Sequence, residues 1–96
     1  MLQLAGAQAG AADPQAGRAK AAACAVCHGQ AGVSALANAP HLAGQPAIYV
    51  EEQLRNYRSG KRRHEVMSVV AKTLSDAEIA DLAAWYASIR IEVLPP

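Results

Sequence analysis

The sequence predicts an all-α fold, and three observations carry that prediction. Ile79, Leu82, Ala83, Tyr86 and Ile89 recur at helical spacing behind Ser75-Asp76-Ala77-Glu78, which fits a capping box. Pro14 and Pro46 each stand where a first helical residue is expected, since a proline there gives up an amide that has no helical partner anyway. No stretch alternates apolar and polar residues as a half-buried strand does. A length of 96 residues argues for one domain.

In chain order, residues 1–12 read as a flexible lead-in of Ala, Gly and Gln, and the domain is expected over 13–96. Asp13 is an N-cap candidate for a helix from Pro14 to about Ala23. Gly17 within it costs about 1 kcal/mol against Ala, a cost that a close crossing by another element would explain. Residues 29–45 hold Gly29, Gly32, Asn38, Pro40 and Gly44, which is loop composition. A second helix runs from Pro46 to Gly60, with Val50, Leu54 and Tyr57 on one face. A loop around Glu65 and a short helix near Ser68–Lys72 follow. The third main helix starts at the capping box, and Pro95-Pro96 end the chain. The expected architecture is three main helices plus a short one.

Composition sets a problem for this fold. There is no Phe, one Trp and three Tyr, while Ala is abundant. A domain of this size buries only about 60–65% of its unfolded surface, so its core is thin. Small folds of this kind usually gain a staple from a metal, a disulfide or a cofactor. The net charge of +1 excludes a global basic field for nucleic acid. No run of 18 apolar residues exists, so no transmembrane span is expected. Residues 1–12 lack the basic start of a signal peptide; the chain reads as missing its export signal, with Met1 an expression start.

The segment Cys24-Ala25-Val26-Cys27-His28 is C-x-x-C-H. Two intervening residues let a tight turn present both thiols along one edge of a porphyrin, each reaching one vinyl group. His28, next in line, then offers its imidazole to the iron. Three other readings compete. Structural zinc needs two further ligands, and the chain has no other Cys. A thioredoxin-like redox pair needs a βαβ setting, and no strands are visible. A plain disulfide leaves His28 and the thin core unexplained.

The sequence also resembles class I c-type cytochromes, within them the bacterial c4/c553-like group, from about Asp13 to Ser88. The matching pieces are Cys-Ala-Val-Cys-His-Gly at 24–29 and Pro-His-Leu-Ala-Gly-Gln at 40–45. Tyr49, Gln53-Leu54, Tyr57-Arg58-Ser59-Gly60-Lys61-Arg62 and Met67 follow. Leu74-Ser75-Asp76-Ala77-Glu78-Ile79 and Asp81-Leu82-Ala83-Ala84-Trp85-Tyr86-Ala87-Ser88 complete the series. The resemblance implies the cytochrome c fold, with terminal helices crossing near the haem edge and Gly17 at that crossing, facing Leu82 or Trp85. It implies that the Pro40 carbonyl accepts the Nδ1 hydrogen bond of the proximal histidine, leaving Nε2 for iron. His41 departs from the group, which more often carries another polar or basic residue there. Related proteins can hold two such domains in tandem; this chain holds one.

Besides Met1, the only methionine is Met67. Its thioether is a soft, neutral ligand that favours ferrous iron and raises the potential. Together with the resemblance, this makes Met67 the expected second axial ligand of one covalent haem c, with core filler as the plain alternative. His64 is the rival ligand. Arg55, Arg58, Lys61, Arg62 and Arg63 form a basic segment, read as a solvated helix end, as a propionate contact through Arg62, or as a surface steering an acidic partner. The expected function is electron transfer in the bacterial periplasm between redox partner proteins, by a monomer or weak homodimer rather than an enzyme. The alternatives are a cytochrome subunit or domain of a larger oxidoreductase, a ligand-binding or peroxidatic haem protein, and a non-haem binding module.

Overall fold

The computed structural model describes residues 11–96. Most of the lead-in expected at 1–12 lies outside the described residues. The elements are α1 (Pro14–Lys20), a 3₁₀ turn (Ala21–Ala23), α2 (Ala25–His28), α3 (Ala47–Ser59), α4 (Met67–Lys72) and α5 (Asp76–Ser88). Among the described residues there is no strand.

Each long helix starts and stops for a local reason. The Asp13 carboxylate accepts the Gln15 amide at 2.9 Å, and Pro14 opens α1. Helix α3 follows Pro46 and ends at Gly60, whose φ of 89° is the left-handed conformation that glycine adopts without penalty. Helix α5 carries the full capping box: Ser75 Oγ accepts the Glu78 amide at 3.1 Å, and Glu78 accepts the Ser75 amide at 2.9 Å.

Helix α1 crosses α5. At the contact Gly17 is buried, and a Cβ there would strike the Asp81 carbonyl and come within 2.9 Å of the Trp85 Cβ. The crossing therefore meets Asp81 and Trp85 rather than Leu82. Its rim is polar: the Asp13 amide donates to Asp81 (2.8 Å), Lys20 pairs with Glu78 (3.0 Å), and the Arg18 guanidinium lies 5.5 Å from the Trp85 ring centre. These exposed contacts set the register of the crossing more than they add stability.

The core lies beneath it. Ala21, Leu74, Ile79, Leu82 and Tyr86 pack together, with Cys24, Leu42, Leu54, Trp85 and Ile89 partly buried against them. Ile79 and Leu82 are its largest fully enclosed side chains. Helix α3 lies across α5 and buries Val50 and Tyr57, and α4 packs on α3. Arg58 of α3 holds the α4–α5 joint by donating to the Leu74 carbonyl (3.1 Å) and to Asp76 (2.6 Å).

Candidate functional site

Cys24, Cys27 and His28 occupy one helical turn. The amides of Cys27 (3.2 Å) and His28 (2.9 Å) both donate to the Cys24 carbonyl, and the Gly29 amide donates to Ala25 (3.0 Å). Residues three and four apart share a helix face, so the two thiols and the imidazole are grouped by the turn itself. The turn stops at Gly29, with φ 84°, where a Cβ would strike the Val33 carbonyl. Both cysteines are free thiols and half-buried.

His28 is buried, with 8% of its surface exposed. Its Nδ1 donates to the Pro40 carbonyl at 2.9 Å. That bond puts the ring proton on Nδ1 and leaves the Nε2 lone pair free; among the described residues Nε2 makes no hydrogen bond. The loop that carries Pro40 is tied down on several sides. The Gly32 carbonyl accepts the amides of Leu42 (2.7 Å) and Ala43 (3.0 Å), and the Gly44 amide donates to Tyr86 of α5 (2.9 Å). The Ser34 hydroxyl donates to the Cys27 carbonyl (2.9 Å), while the Ser34 amide donates to His41 Nδ1 (2.8 Å). His41 thus braces the loop from an exposed position.

Tyr86 reaches this turn from α5, in the core cluster against which Cys24 packs. Burial pushes the Cys24 thiol up, against the smaller opposing pulls of Tyr86 and Lys20. Burial likewise pushes the Tyr86 phenol above its ordinary range, with Cys24 beside it adding to the effect. Periodicity placed Tyr86 in the core; its contact with Cys24 had no signal in the sequence.

Met67 is the first residue of α4 and is half-buried. Arg62 donates to Gln53 Oε1 (2.6 Å) and lies 4.7 Å from the Tyr57 ring centre. Arg55 pairs with Glu51 (3.1 Å). With Arg58 at the α4–α5 joint, three members of the basic segment are engaged within the fold.

The donor set discriminates among possible cofactors. Among the described residues no three His, Cys, Asp or Glu side chains gather as a metal site, which structural zinc requires. Two free thiols on one turn, with an imidazole whose tautomer is fixed and whose Nε2 is free, fit a covalently bound haem. Apolar side chains flank both candidate ligands in sequence and stay exposed on the polypeptide: Val33 at 59% and Leu36 at 47% after His28, Val66 at 48% and Val69 at 66% around Met67.

The chain matches, over residues 10–85, the family described as cytochrome c oxidase, cbb3-type, subunit III. It is similar to cytochrome c4 of Pseudomonas aeruginosa, with 42% identity over 92 residues covering 96% of this chain and 46% of that protein. It is similar also to cytochrome c-554(548) of Halomonas halodenitrificans, with 41% identity over 81 residues covering 81% of this chain and 98% of that one. The crystal structure of reduced recombinant cytochrome c4 from Pseudomonas stutzeri superposes with a TM-score of 0.78 at 35% identity, covering 83% of this chain and 47% of that chain. The chain thus spans about half the length of the cytochrome c4 relatives it matches.

Proposed function

Because the chain belongs to the class I c-type cytochromes of the c4 group, we propose that it carries single electrons between redox proteins through one haem c bound at Cys24, Cys27 and His28. Covalent haem c is the cofactor of this family, and its iron supplies the one-electron ferric–ferrous couple. The names of the relatives are those of electron carriers rather than enzymes.

The observation that carries this reading is the 2.9 Å bond from His28 Nδ1 to the Pro40 carbonyl, one residue after two free thiols. The bond does two things. It fixes the ring orientation, and it increases electron donation from Nε2. Cys24 and Cys27 would hold the group through thioether bonds, so that it would not dissociate during cycling. Met67 would supply the second protein ligand to the iron in this reading. Histidine and thioether are both neutral, and together they raise the potential relative to two imidazoles. A ligand pair retained in both oxidation states keeps reorganisation small. Arg62, held by Gln53 and the Tyr57 ring, is the candidate propionate contact in this reading, because a guanidinium can hold a carboxylate bidentately.

The reading includes a bacterial periplasmic location. Attachment needs reduced thiols meeting haem outside the cytoplasm, and among the described residues no helix is long and apolar enough to cross a membrane.

The test is extraction. Acidified organic solvent removes non-covalent haem and leaves thioether-bound haem on the chain. The protein expressed with its maturation machinery is expected to keep one haem per chain by mass. Haem that extracts freely, or a mass showing none, defeats the proposal.

A further inference from the structure

We propose that His64 is a positioning residue for Met67: its imidazole caps α4 and so sets where the methionine sulfur stands. The inference rests on the reading of Met67 as an axial ligand.

Helix α4 lacks an ordinary cap. Its N-cap residue is Val66, whose side chain carries no acceptor, and no N-cap side chain bonds the first turn. His64 supplies what is missing. Its Nδ1 accepts the amides of Val66 (3.1 Å) and Met67 (3.3 Å). The exchange is reciprocal: the His64 amide donates to Ser68 Oγ (3.0 Å), and the Ser68 amide donates to the His64 carbonyl (2.9 Å). Four bonds thus join His64 to the three residues that open α4, the middle one being Met67.

The bond at Met67 bears directly on the site. It fixes the amide of the residue whose side chain is the ligand, and so the backbone orientation from which that side chain departs. Upstream, the Arg62 amide is tied to the Asn56 carbonyl of α3 (3.0 Å). His64 is therefore the link between a chain anchored on α3 and a helix of only six residues, too short to hold itself in water. An acceptor at Nδ1 also fixes the tautomer, with the ring proton on Nε2. In this geometry the imidazole works on the backbone of the ligand-bearing turn and is not itself an iron ligand.

Losing an N-cap of this kind shifts a local equilibrium by about fivefold. Here that equilibrium lies between Met67 bound and Met67 released. Carbon monoxide reads it, because its apparent affinity for the ferrous protein scales with the fraction in which the sixth position is open. The ferric protein reads it independently through the weak sulfur-to-iron charge-transfer band, which requires the thioether bond.

The experiment compares the holoprotein with His64→Ala, His64→Asn, Ser68→Ala and Met67→Ala. His64→Ala is expected to raise carbon monoxide affinity about fivefold and to weaken the charge-transfer band. His64→Asn, whose Oδ1 can accept the same amides, should restore both towards the parent. Ser68→Ala removes the other half of the exchange and should move both in the same direction by less. Met67→Ala should abolish the band outright. If His64→Ala leaves affinity and band unchanged while Met67→Ala abolishes the band, the capping role is wrong and the ligand reading stands. If Met67→Ala changes neither, the ligand reading fails and the inference with it. If His64→Ala abolishes the band and His64→Asn restores nothing, His64 acts otherwise than as a cap, and the proposal is overturned.

Discussion

Met67 and the turn at Cys24 can be tested one side chain at a time. Met67→Ala removes the only thioether after Met1, so the ferrous protein should bind carbon monoxide rapidly and the reduction potential should fall; stopped-flow and potentiometry measure the two effects. Cys24→Ala should leave a single thioether and lower the yield of matured protein, read as haem absorbance per chain. The two residues were not equally legible. Cys24, Cys27 and His28 are contiguous, so their chemistry shows in five letters. The bond from His28 to Pro40 spans twelve residues of aperiodic loop, and only the resemblance to known cytochromes suggested it. Ser34, which braces that loop, carried no signal, and His41 stood out only as a departure from the group; the partners of both are set by a backbone path that no spacing rule describes. The basic segment was legible only as clustered charge, for a related reason. Clustered charges in sequence suggest a solvated end or a docking surface, yet Arg58 is committed to Leu74 and Asp76, sixteen and eighteen residues away. Arg58→Gln should therefore destabilise the fold by about 1 kcal/mol or more, mainly through the Leu74 carbonyl left without its donor, and thermal melting checks this.

At the scale of elements, the α1–α5 crossing and the start of α5 make separate predictions. On an exposed helix face, Gly17→Ala would gain up to about 1 kcal/mol of propensity. Here the added methyl meets Asp81 and Trp85, and overpacking of this sort costs about 1–3 kcal/mol, so the variant should melt several degrees lower. Acid should loosen the start of α5. Arg58, by hydrogen bond and then by charge, holds the Asp76 carboxyl below its ordinary range; the Ser75 amide and then Lys20 do the same for Glu78. Both values are lower in the folded chain than in the unfolded one. Their contribution is thus complete above the unfolded values of 3.8 and 4.5 and is lost as pH falls through the folded ones. Glu78→Gln should flatten the dependence of melting temperature on pH below about 4.5. The long helices were legible because caps and periodicity agree: the capping box at Ser75 and the stop at Gly60 are where the sequence put them. The short pieces were not. The first helix changes to a 3₁₀ turn at Ala21, and the haem-attachment turn forms a separate four-residue helix that was not anticipated. Four residues are too few for a 3.6-residue period to show.

For the whole molecule the decisive quantity is how little the polypeptide buries by itself. Among the described residues few large side chains are enclosed, Ile79, Leu82 and Tyr86 foremost, and four of the ten buried apolar residues are alanine. Against this, Val33 and Leu36 in the segment after His28, and Val66 and Val69 on either side of Met67 in sequence, stand exposed. Fully burying a side chain of this class is worth about 1.5–3 kcal/mol, and small domains are stable by only about 5–15 kcal/mol in total. The four are each about half exposed, so covering all of them would add about 3–6 kcal/mol, a large share of the stability of such a domain. His28 adds no penalty of its own, since among the described residues no side-chain nitrogen or oxygen is buried without a partner; its Nε2 stays accessible to an iron. Removing the haem should accordingly abolish the cooperative fold rather than trim it. The Cys24→Ala, Cys27→Ala double variant, produced without haem, should show a broad thermal transition, weak near-ultraviolet dichroism and strong binding of an apolar dye, with part of its helical signal retained. The long helices can persist in such a state because their caps are local, whereas the loop at 29–45 depends on His28, Pro40 and Tyr86 standing together. Calorimetry and circular dichroism of the double variant beside the holoprotein decide it. An apoprotein that melts cooperatively within about 5 °C of the holoprotein would mean that the polypeptide core suffices and that the exposed valines and leucine face solvent in both forms.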